Sequence, residues 1–149
     1  MKPLARLVAR TWVLPEPAID TDQIIPARFL KTTQQRGLGR HLFADRRTDP
    51  AFSPGSDAAG ERAVLVAGPN FGCGSSREHA VWALLDAGVR AVVSARFADI
   101  FRANAERNGL LAVELEEAWV HRLAAAPGAS VELDVQAGTL GFEGRSTTF

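Results

Sequence analysis

The sequence predicts an α/β fold with a mixed, largely parallel sheet and flanking helices. Three observations lead to this prediction. Short apolar runs alternate with stretches of helical periodicity between residues 63 and 126. A glycine-rich segment joins the first of these runs to the first helical stretch. Residues 131–135 alternate apolar and polar side chains, which is typical of a half-exposed antiparallel strand.

Length and composition are those of an ordinary globular protein. The 149 residues predict a single domain spanning 1–149. The 17 basic residues balance the 17 acidic ones, so no general electrostatic field would attract nucleic acid or a membrane surface. No apolar run approaches the ~20 residues of a membrane-spanning helix. We therefore expect neither nucleic acid nor a membrane as a partner.

Cys73 is the only cysteine of the chain. It excludes an internal disulfide, and it excludes a zinc or iron–sulfur site held by cysteines of this chain alone. We expect no metal ligands here. A chain without disulfides fits a cytoplasmic location.

The first predicted strand covers residues 4–14 and ends at Pro15. It is followed by residues that favour turns and helix caps, namely Asp20, Thr21 and Asp22. Pro26 suits the first turn of a short helix over residues 27–30.

Residues 31–61 are mostly polar and are predicted to form a mobile loop, because so long a connection is unusual inside a compact domain. An apolar segment, residues 38–43, interrupts the polar composition. Residues 50–60 are expected to be the most mobile part.

Helices and strands alternate after this loop. Predicted helices cover residues 81–88, 97–108 and 116–126, and predicted strands cover residues 90–94 and 110–115. The second helix should bury one apolar face, consisting of Phe97, Ile100, Phe101 and Ala105, and should end at Asn108 and Gly109.

The C-terminal part is predicted to be β-structure. Residues 131–135 form the half-exposed strand, and Gly138 and Gly141 indicate turns into a terminal strand within residues 142–149.

The segment over residues 68–80 reads GPNFGCGSSREHA. A strand, a glycine-rich loop and a helix in this order bring backbone N–H groups to an anion. The loop is not a phosphate-binding P-loop, because no lysine precedes its serines. It is not a dinucleotide fingerprint either, because Arg77 occupies the position of the last glycine. The sequence indicates an anion site of another kind.

Ser75 has two interpretations. Ser75 and Glu78 have the S-x-x-E spacing of a capping box at a helix N-terminus. Alternatively, Ser75 is an active hydroxyl beside an anion-binding cation, Arg77. Both can hold together, because a capping serine lies at the positive end of the helix dipole.

Three ordered segments resemble the small subunit of 3-isopropylmalate dehydratase, the counterpart of the mobile swivel domain of aconitase. They are DTDQIIPARFL over residues 20–30, NFGCGSSREHAVWAL over 70–84, and SARFADIF over 94–101 with Asn104. The resemblance extends from about residue 7 to residue 115. It implies an aconitase-like swivelling β/β/α domain.

The resemblance also implies a hydro-lyase. The family isomerises 2-isopropylmalate and 3-isopropylmalate by dehydration and rehydration, in leucine biosynthesis. A large subunit carries a [4Fe–4S] cluster that takes the substrate hydroxyl, and the small subunit supplies the base. The expected partners are therefore this large subunit and a small hydroxy-carboxylate substrate.

Residue roles follow from the matched motifs. Ser75 matches the serine that removes the carbon-bound proton, Arg77 the arginine that binds a substrate carboxylate, and Asp22 an active-site aspartate. Gly74 and Ser76 lie in the same cradle as expected substrate contacts. Residues 29–32 resemble the loop that distinguishes an isopropyl group from a carboxylate arm, which makes Lys31 and Thr32 further expected substrate contacts.

A serine hydroxyl needs help to act as a base. A helix N-terminus stabilises a negative charge by at most ~2 kcal/mol, which lowers the pKa of a hydroxyl by roughly 1.5. The remaining stabilisation must come from aimed N–H donors in a dry site and from the charge of Arg77. A leaving hydroxyl also needs a Lewis acid, so the resemblance requires a partner.

Two other functions compete with this one. The first is the small subunit of homoaconitase in lysine biosynthesis, and the second is a non-catalytic anion-binding or regulatory module. Outside the site, Cys73 is expected to be a packed thiol and His79 to be structural. His41 and His121 are expected at the surface, and Trp82 and Trp119 in the core or an interface.

Overall fold

The computed structural model describes residues 5–31, 36–47 and 63–149. Seven strands form one sheet in the order β4-β3-β2-β1-β5-β6-β7. The strands are β1 (Arg6–Leu14), β2 (Val64–Ala67), β3 (Ala91–Ser94), β4 (Leu111–Glu114), β5 (Ser130–Asp134), β6 (Thr139–Phe142) and β7 (Arg145–Thr148).

Four α-helices and three 3₁₀-helices accompany the sheet in the described part of the chain. The α-helices are α1 (Thr21–Ile24), α2 (Glu78–Asp86), α3 (Asp99–Asn108) and α4 (Glu117–Ala124). The 3₁₀-helices are Ala27–Phe29, Gly39–His41 and Ala44–Arg46. Within the described ranges, no helix has the length and apolar character needed to cross a bilayer.

Strand β1 joins two halves of the sheet that differ in strand direction. Its first half pairs antiparallel with β5, from Arg6 opposite Asp134 onward. Its second half pairs parallel with β2, from Thr11 opposite Val64 onward. The strands beyond β2 continue parallel, and the strands beyond β5 continue antiparallel. The predicted mixed sheet with flanking helices is confirmed, with the two kinds of pairing equal in number among the described strands.

The two faces of the sheet bury separate apolar clusters. Leu65 and Ala67 of β2 belong to one cluster, and Val64 and Val66 belong to the other. Side chains alternate across a strand, so the continuous apolar run of β2 supplies both faces. The first cluster contains buried residues of α1, α2 and α3, and the second contains those of α4.

The predicted strands and helices after residue 63 are confirmed, with four differences. The predicted terminal strand within residues 142–149 is preceded by a separate strand, β6, which the sequence did not predict. The first helix begins earlier than predicted, at Glu78. Ile100, expected on the buried face of α3, is 54% exposed. Gly141, expected in a turn, lies inside β6 opposite Glu132. Gly138 does occupy a turn, with φ of +65°.

Residues 36–47 of the predicted mobile loop pack against the core. Leu38, Leu42 and Phe43 are almost fully buried. The carboxylate of Asp86, the last residue of α2, accepts hydrogen bonds from the backbone N–H groups of residues 37 and 39 at 3.0 and 2.8 Å. The apolar segment at 38–43 is therefore core, whereas residues 50–60 and Thr32 lie outside the described residues.

The chain around Phe29 is held to this packed segment. The Phe29 ring stacks on His41 with 3.9 Å between ring centroids. Arg28 forms a two-bond ion pair with Asp45, which lowers the pKa of that carboxyl. Burial and neighbouring guanidinium groups, first that of Arg40, lower the pKa of His41. A low pKa favours the neutral ring that stacks on Phe29.

Gly68, at the end of β2, is a position where a larger residue does not fit. A Cβ atom there would lie 2.2 Å from the carbonyl oxygen of Glu16 and 2.5 Å from that of Pro15. Both obstacles are backbone atoms, so the chain itself would have to move. We expect Gly68→Ala to lower the free energy of unfolding by about 3 kcal/mol, the upper part of the range for overpacking.

Urea unfolding monitored by circular dichroism measures this change. Gly141→Ala is the matched control, because its nearest contacts would be at 3.8–4.0 Å, and it should change stability by no more than about 0.5 kcal/mol. Equal stabilities of the two variants would contradict the steric argument.

Candidate active site

The three sequence segments singled out above meet at one edge of the sheet. They follow β1, β2 and β3, which are parallel neighbours, so the carboxyl ends of the strands bring the segments together. The segment after β1 runs beside the glycine loop. The N–H of Ala18 donates to the carbonyl of Pro69, that of Gly72 to Ile19, and that of Thr21 to Cys73, at 2.8–2.9 Å.

The segment after β3 contacts the glycine loop from its other side. The N–H of Asn70 donates to the carbonyl of Arg96 at 2.7 Å, and that of Ala98 donates to Phe71 at 3.1 Å. Phe71 and Phe97 form a parallel bridge. The glycine loop therefore lies between the other two segments and is hydrogen-bonded to both of them.

Gly72 allows the loop to pass directly over helix α3. Its φ is +83°, and an added Cβ would lie 2.3 Å from the ring of Phe101. That ring packs edge-to-face against Phe71, with 5.1 Å between centroids, and stacks on Phe97. Gly74 also has a positive φ, of +90°, and is exposed.

Ser75 is exposed and precedes helix α2 by three residues. The capping-box prediction is wrong, because the N-cap of α2 is Arg77 and no side chain caps it. The bridge between Cys73 and Asp20 keeps the chain extended at that point, so the helix starts only at Glu78. The carboxylate of Glu78 instead pairs with Arg107 at 3.1 Å.

Arg77 and Asp22 are brought together, as the predicted site requires. Nη1 of Arg77 lies 3.3 Å from Oδ1 of Asp22. The same carboxylate oxygen accepts the N–H of Ala27 at 3.0 Å. The Arg77 side chain is 23% exposed and the Asp22 side chain 61%. An ion pair this exposed contributes at most about 1 kcal/mol to stability.

An open cleft of about 760 Å³ lies beside the loop. Ser76, Arg77 and Arg107 contribute to its polar side, and Leu30, Trp82 and Ile100 to its apolar side. A volume of this size accommodates a small ligand. Ser75 adjoins Ser76 in the chain but does not line this cleft. Lys31, exposed, follows the lining residue Leu30.

Sequence reasoning missed the contribution of α3 to the cleft. Asn104 is 5% exposed, and its side-chain oxygen accepts a hydrogen bond from Arg107 at 3.0 Å. Arg107 in turn reaches Glu78 at the start of α2. A buried asparagine inside an apolar helix face was the available signal, since buried polar groups are normally hydrogen-bonded.

The two remaining candidates, His79 and Cys73, contact neighbouring protein groups. His79 lies 4.7 Å from Trp82, centroid to centroid, which fits its structural interpretation. Cys73 is half-buried, and its Sγ lies 3.5 Å from the carbonyl of Ala18. Across the described ranges, no three His, Cys, Asp or Glu side chains cluster in a way that could hold a metal ion.

Comparisons with known proteins identify the family of the chain. Residues 1–118 match the model of the aconitase C-terminal domain. The 3-isopropylmalate dehydratase small subunit of Anaeromyxobacter dehalogenans (strain 2CP-C) is 56% identical, over 99% of this chain and 80% of that protein. The small subunit from Rubrobacter xylanophilus is 44% identical, over all of this chain and 78% of that protein.

A solved structure gives the same result at the level of the fold. The 3-isopropylmalate dehydratase structure from Methanocaldococcus jannaschii superposes with a TM-score of 0.74 at 31% identity, covering 96% of this chain and 80% of that one. The chain therefore belongs to the family of 3-isopropylmalate dehydratase small subunits, which share the C-terminal domain of the aconitases.

Proposed function

We propose that this chain is the small subunit of a 3-isopropylmalate dehydratase. Together with a large subunit it interconverts 2-isopropylmalate and 3-isopropylmalate by dehydration and rehydration, in leucine biosynthesis and in the cytoplasm. The observation that carries the proposal is the exposed Ser75 two residues before an Arg77 that is already oriented by Asp22. Membership of the family supplies the reaction class.

Ser75 is the base that removes the proton from the carbon next to a carboxylate. Helix α2 begins three residues later, so its dipole contributes less than the ~2 kcal/mol available directly at a helix terminus. Arg77 and the backbone N–H groups of the glycine loop supply the remaining stabilisation of the developing charge. Ser75 acts as the alkoxide, after its own proton has been lost to solvent, and its oxygen takes the proton from the substrate carbon and becomes a hydroxyl. In the reverse reaction this hydroxyl returns the proton to the carbon.

Arg77 binds the substrate carboxylate that gains negative charge in this step. A guanidinium fork matches a carboxylate with two parallel hydrogen bonds. Asp22 contacts Arg77 through one nitrogen only, and it thereby orients the fork. Gly74 and Ser76 provide further contacts in the cradle. Lys31 and Thr32 contribute to the choice between substrates.

A partner subunit is required for this chemistry. An exposed hydroxyl in water is a poor base, and the electrostatic contribution of Arg77 becomes large only when water is excluded. The large subunit covers the open loop, and its [4Fe–4S] cluster supplies the Lewis acid for the departing hydroxyl. This chain contributes the base that removes the proton, the arginine that binds the substrate carboxylate, and part of the wall of the cleft.

Reconstitution with the iron–sulfur large subunit tests the proposal. The complex is assayed with 2-isopropylmalate and with homocitrate under the same conditions. We expect turnover of 2-isopropylmalate, in keeping with the apolar side of the cleft at Leu30 and Ile100. Turnover of homocitrate alone would assign the chain to lysine biosynthesis. Turnover of neither, by a complex that assembles with its cluster intact, would favour the non-catalytic module.

A further inference from the structure

Thr21 is a buried threonine that holds the glycine loop on both sides of Gly74. The residue is 3% exposed and opens helix α1. Its hydroxyl donates a hydrogen bond to the carbonyl oxygen of Ser75 at 2.9 Å. Its backbone N–H donates to the carbonyl oxygen of Cys73, also at 2.9 Å. A single side chain therefore contacts the backbone of the proposed base.

The loop needs such an attachment at this point. Gly72 and Gly74 both have positive φ, and glycine restricts its own backbone less than any other residue. Residues 74–76 are exposed, and regular helix begins only at Glu78. Exposed backbone that follows a flexible glycine and precedes regular helix is the kind of segment that opens locally at low cost.

Helix α1 contacts the loop at two functional positions through adjacent residues. Thr21 holds the carbonyl of Ser75, and Asp22 pairs with the guanidinium of Arg77. The helix is itself fixed, because Asp20 caps it by accepting the N–H of Gln23 at 2.8 Å and Ile24 is fully buried. Both Ser75 and Arg77 are therefore held by adjacent residues of the same fixed helical turn, which sets the distance between the hydroxyl of Ser75 and the guanidinium group of Arg77.

We propose that Thr21 is a positioning residue for the proton transfer at Ser75. The inference rests on the proposed function, and it assigns Thr21 no contact with substrate. Its hydroxyl sets the backbone of Ser75 relative to Arg77. A misplacement of about 1 Å at a reacting group costs on the order of 10²-fold in rate, so this hydrogen bond acts on turnover.

Thr21→Val is the informative variant, because valine keeps the shape of threonine and removes the donor. In the holoenzyme with its large subunit we expect kcat to fall about 10- to 100-fold, while KM changes by less than about threefold. Thr21→Ser keeps the donor and should restore kcat to within about threefold of the parent value.

Thr11→Val is the matched control. Thr11, in strand β1, is also buried. Its hydroxyl lies 3.4 Å from the backbone carbonyl oxygen of Ala126. It should leave kcat and KM unchanged. Hydrogen exchange adds a readout without turnover, because amides of residues 74–77 should exchange faster in the Thr21→Val chain and not in the Thr11→Val chain.

Three outcomes would overturn the inference. They are a parental kcat for Thr21→Val, equal losses for Thr21→Ser and Thr21→Val, and a loss for Thr11→Val as large as that for Thr21→Val. Ser75→Ala, assayed in parallel, separates this failure from that of the proposed function. An inactive Ser75→Ala with a fully active Thr21→Val removes only the role of Thr21, whereas an active Ser75→Ala removes the base itself.

Discussion

Ser75→Ala lowers kcat of the reconstituted holoenzyme by about 10²- to 10⁴-fold, the usual contribution of a positioned general base, and leaves KM within about threefold of the parent value. The substitution removes the side-chain oxygen that, once deprotonated, accepts the proton. It leaves Arg77 and its ion pair with Asp22 in place, so the substrate carboxylate is still bound. Stability should not change, because Ser75 is exposed and does not cap helix α2.

Steady-state assays in both directions measure this prediction, with isothermal titration of substrate as an independent measure of binding. Ser146→Ala is the control, because Ser146 is an exposed serine on the edge strand β7 and lies outside the cleft lining. It should behave like the parent. Turnover of Ser75→Ala at the parental rate would remove the serine from the chemistry.

Arg77→Lys has the second large effect. Lysine keeps the positive charge but has no planar fork, so one of the two parallel hydrogen bonds to a carboxylate is lost. A hydrogen bond to a charged group contributes about 1.5–3 kcal/mol, which corresponds to about a 10- to 100-fold loss in kcat/KM. KM should rise and kcat should fall together, because the carboxylate is held in the ground state and gains charge in the transition state.

Arg102→Lys serves as the control for the chemistry of the substitution. Arg102 is a partly exposed guanidinium that pairs with Glu106 at 3.4 Å and Glu114 at 3.0 Å, and it does not line the cleft. Its replacement should leave the kinetics unchanged. If Arg77→Lys and Arg102→Lys gave the same kinetic constants as the parent, Arg77 would not be the carboxylate-binding residue.

Local patterns in the sequence were sufficient for most of the fold. The existence of the three helices and of the parallel strands after residue 63 is visible in local apolar periodicity, which depends on neighbours within a few positions. Ile100 shows the limit of this approach. Phe97, Phe101 and Ala105 are buried. The apolar periodicity of α3 does not show that Ile100 faces an open cleft, because its exposure depends on which elements pack against α3.

The prediction of the start of helix α2 was wrong for a related reason. The spacing of Ser75 and Glu78 satisfies a capping box locally. Long-range contacts decide otherwise, since Cys73 is bridged to Asp20 and Phe71 to Phe97. These contacts keep the chain extended and delay the helix. Residues far apart in sequence set the position of its first turn.

The glycine loop indicated an anion site by itself, but the pairing of Asp22 with Arg77 could be reached only through the resemblance. Asp22 and Arg77 are separated by 55 positions, and no periodicity or spacing connects them. The matched segments named both residues, and the structure places them 3.3 Å apart. The hydrogen bond from Thr21 to the carbonyl of Ser75 had no comparable signal.

The two-sided pairing of β1 has a consequence for biosynthesis. Residues 6–10 find their antiparallel neighbours only at 130–134, which are synthesised after the parallel strands β2, β3 and β4. A nascent chain can complete the parallel strands and the glycine-rich loop while its first strand still has an open edge. Such an edge recruits other chains, and closing so large a loop is slow.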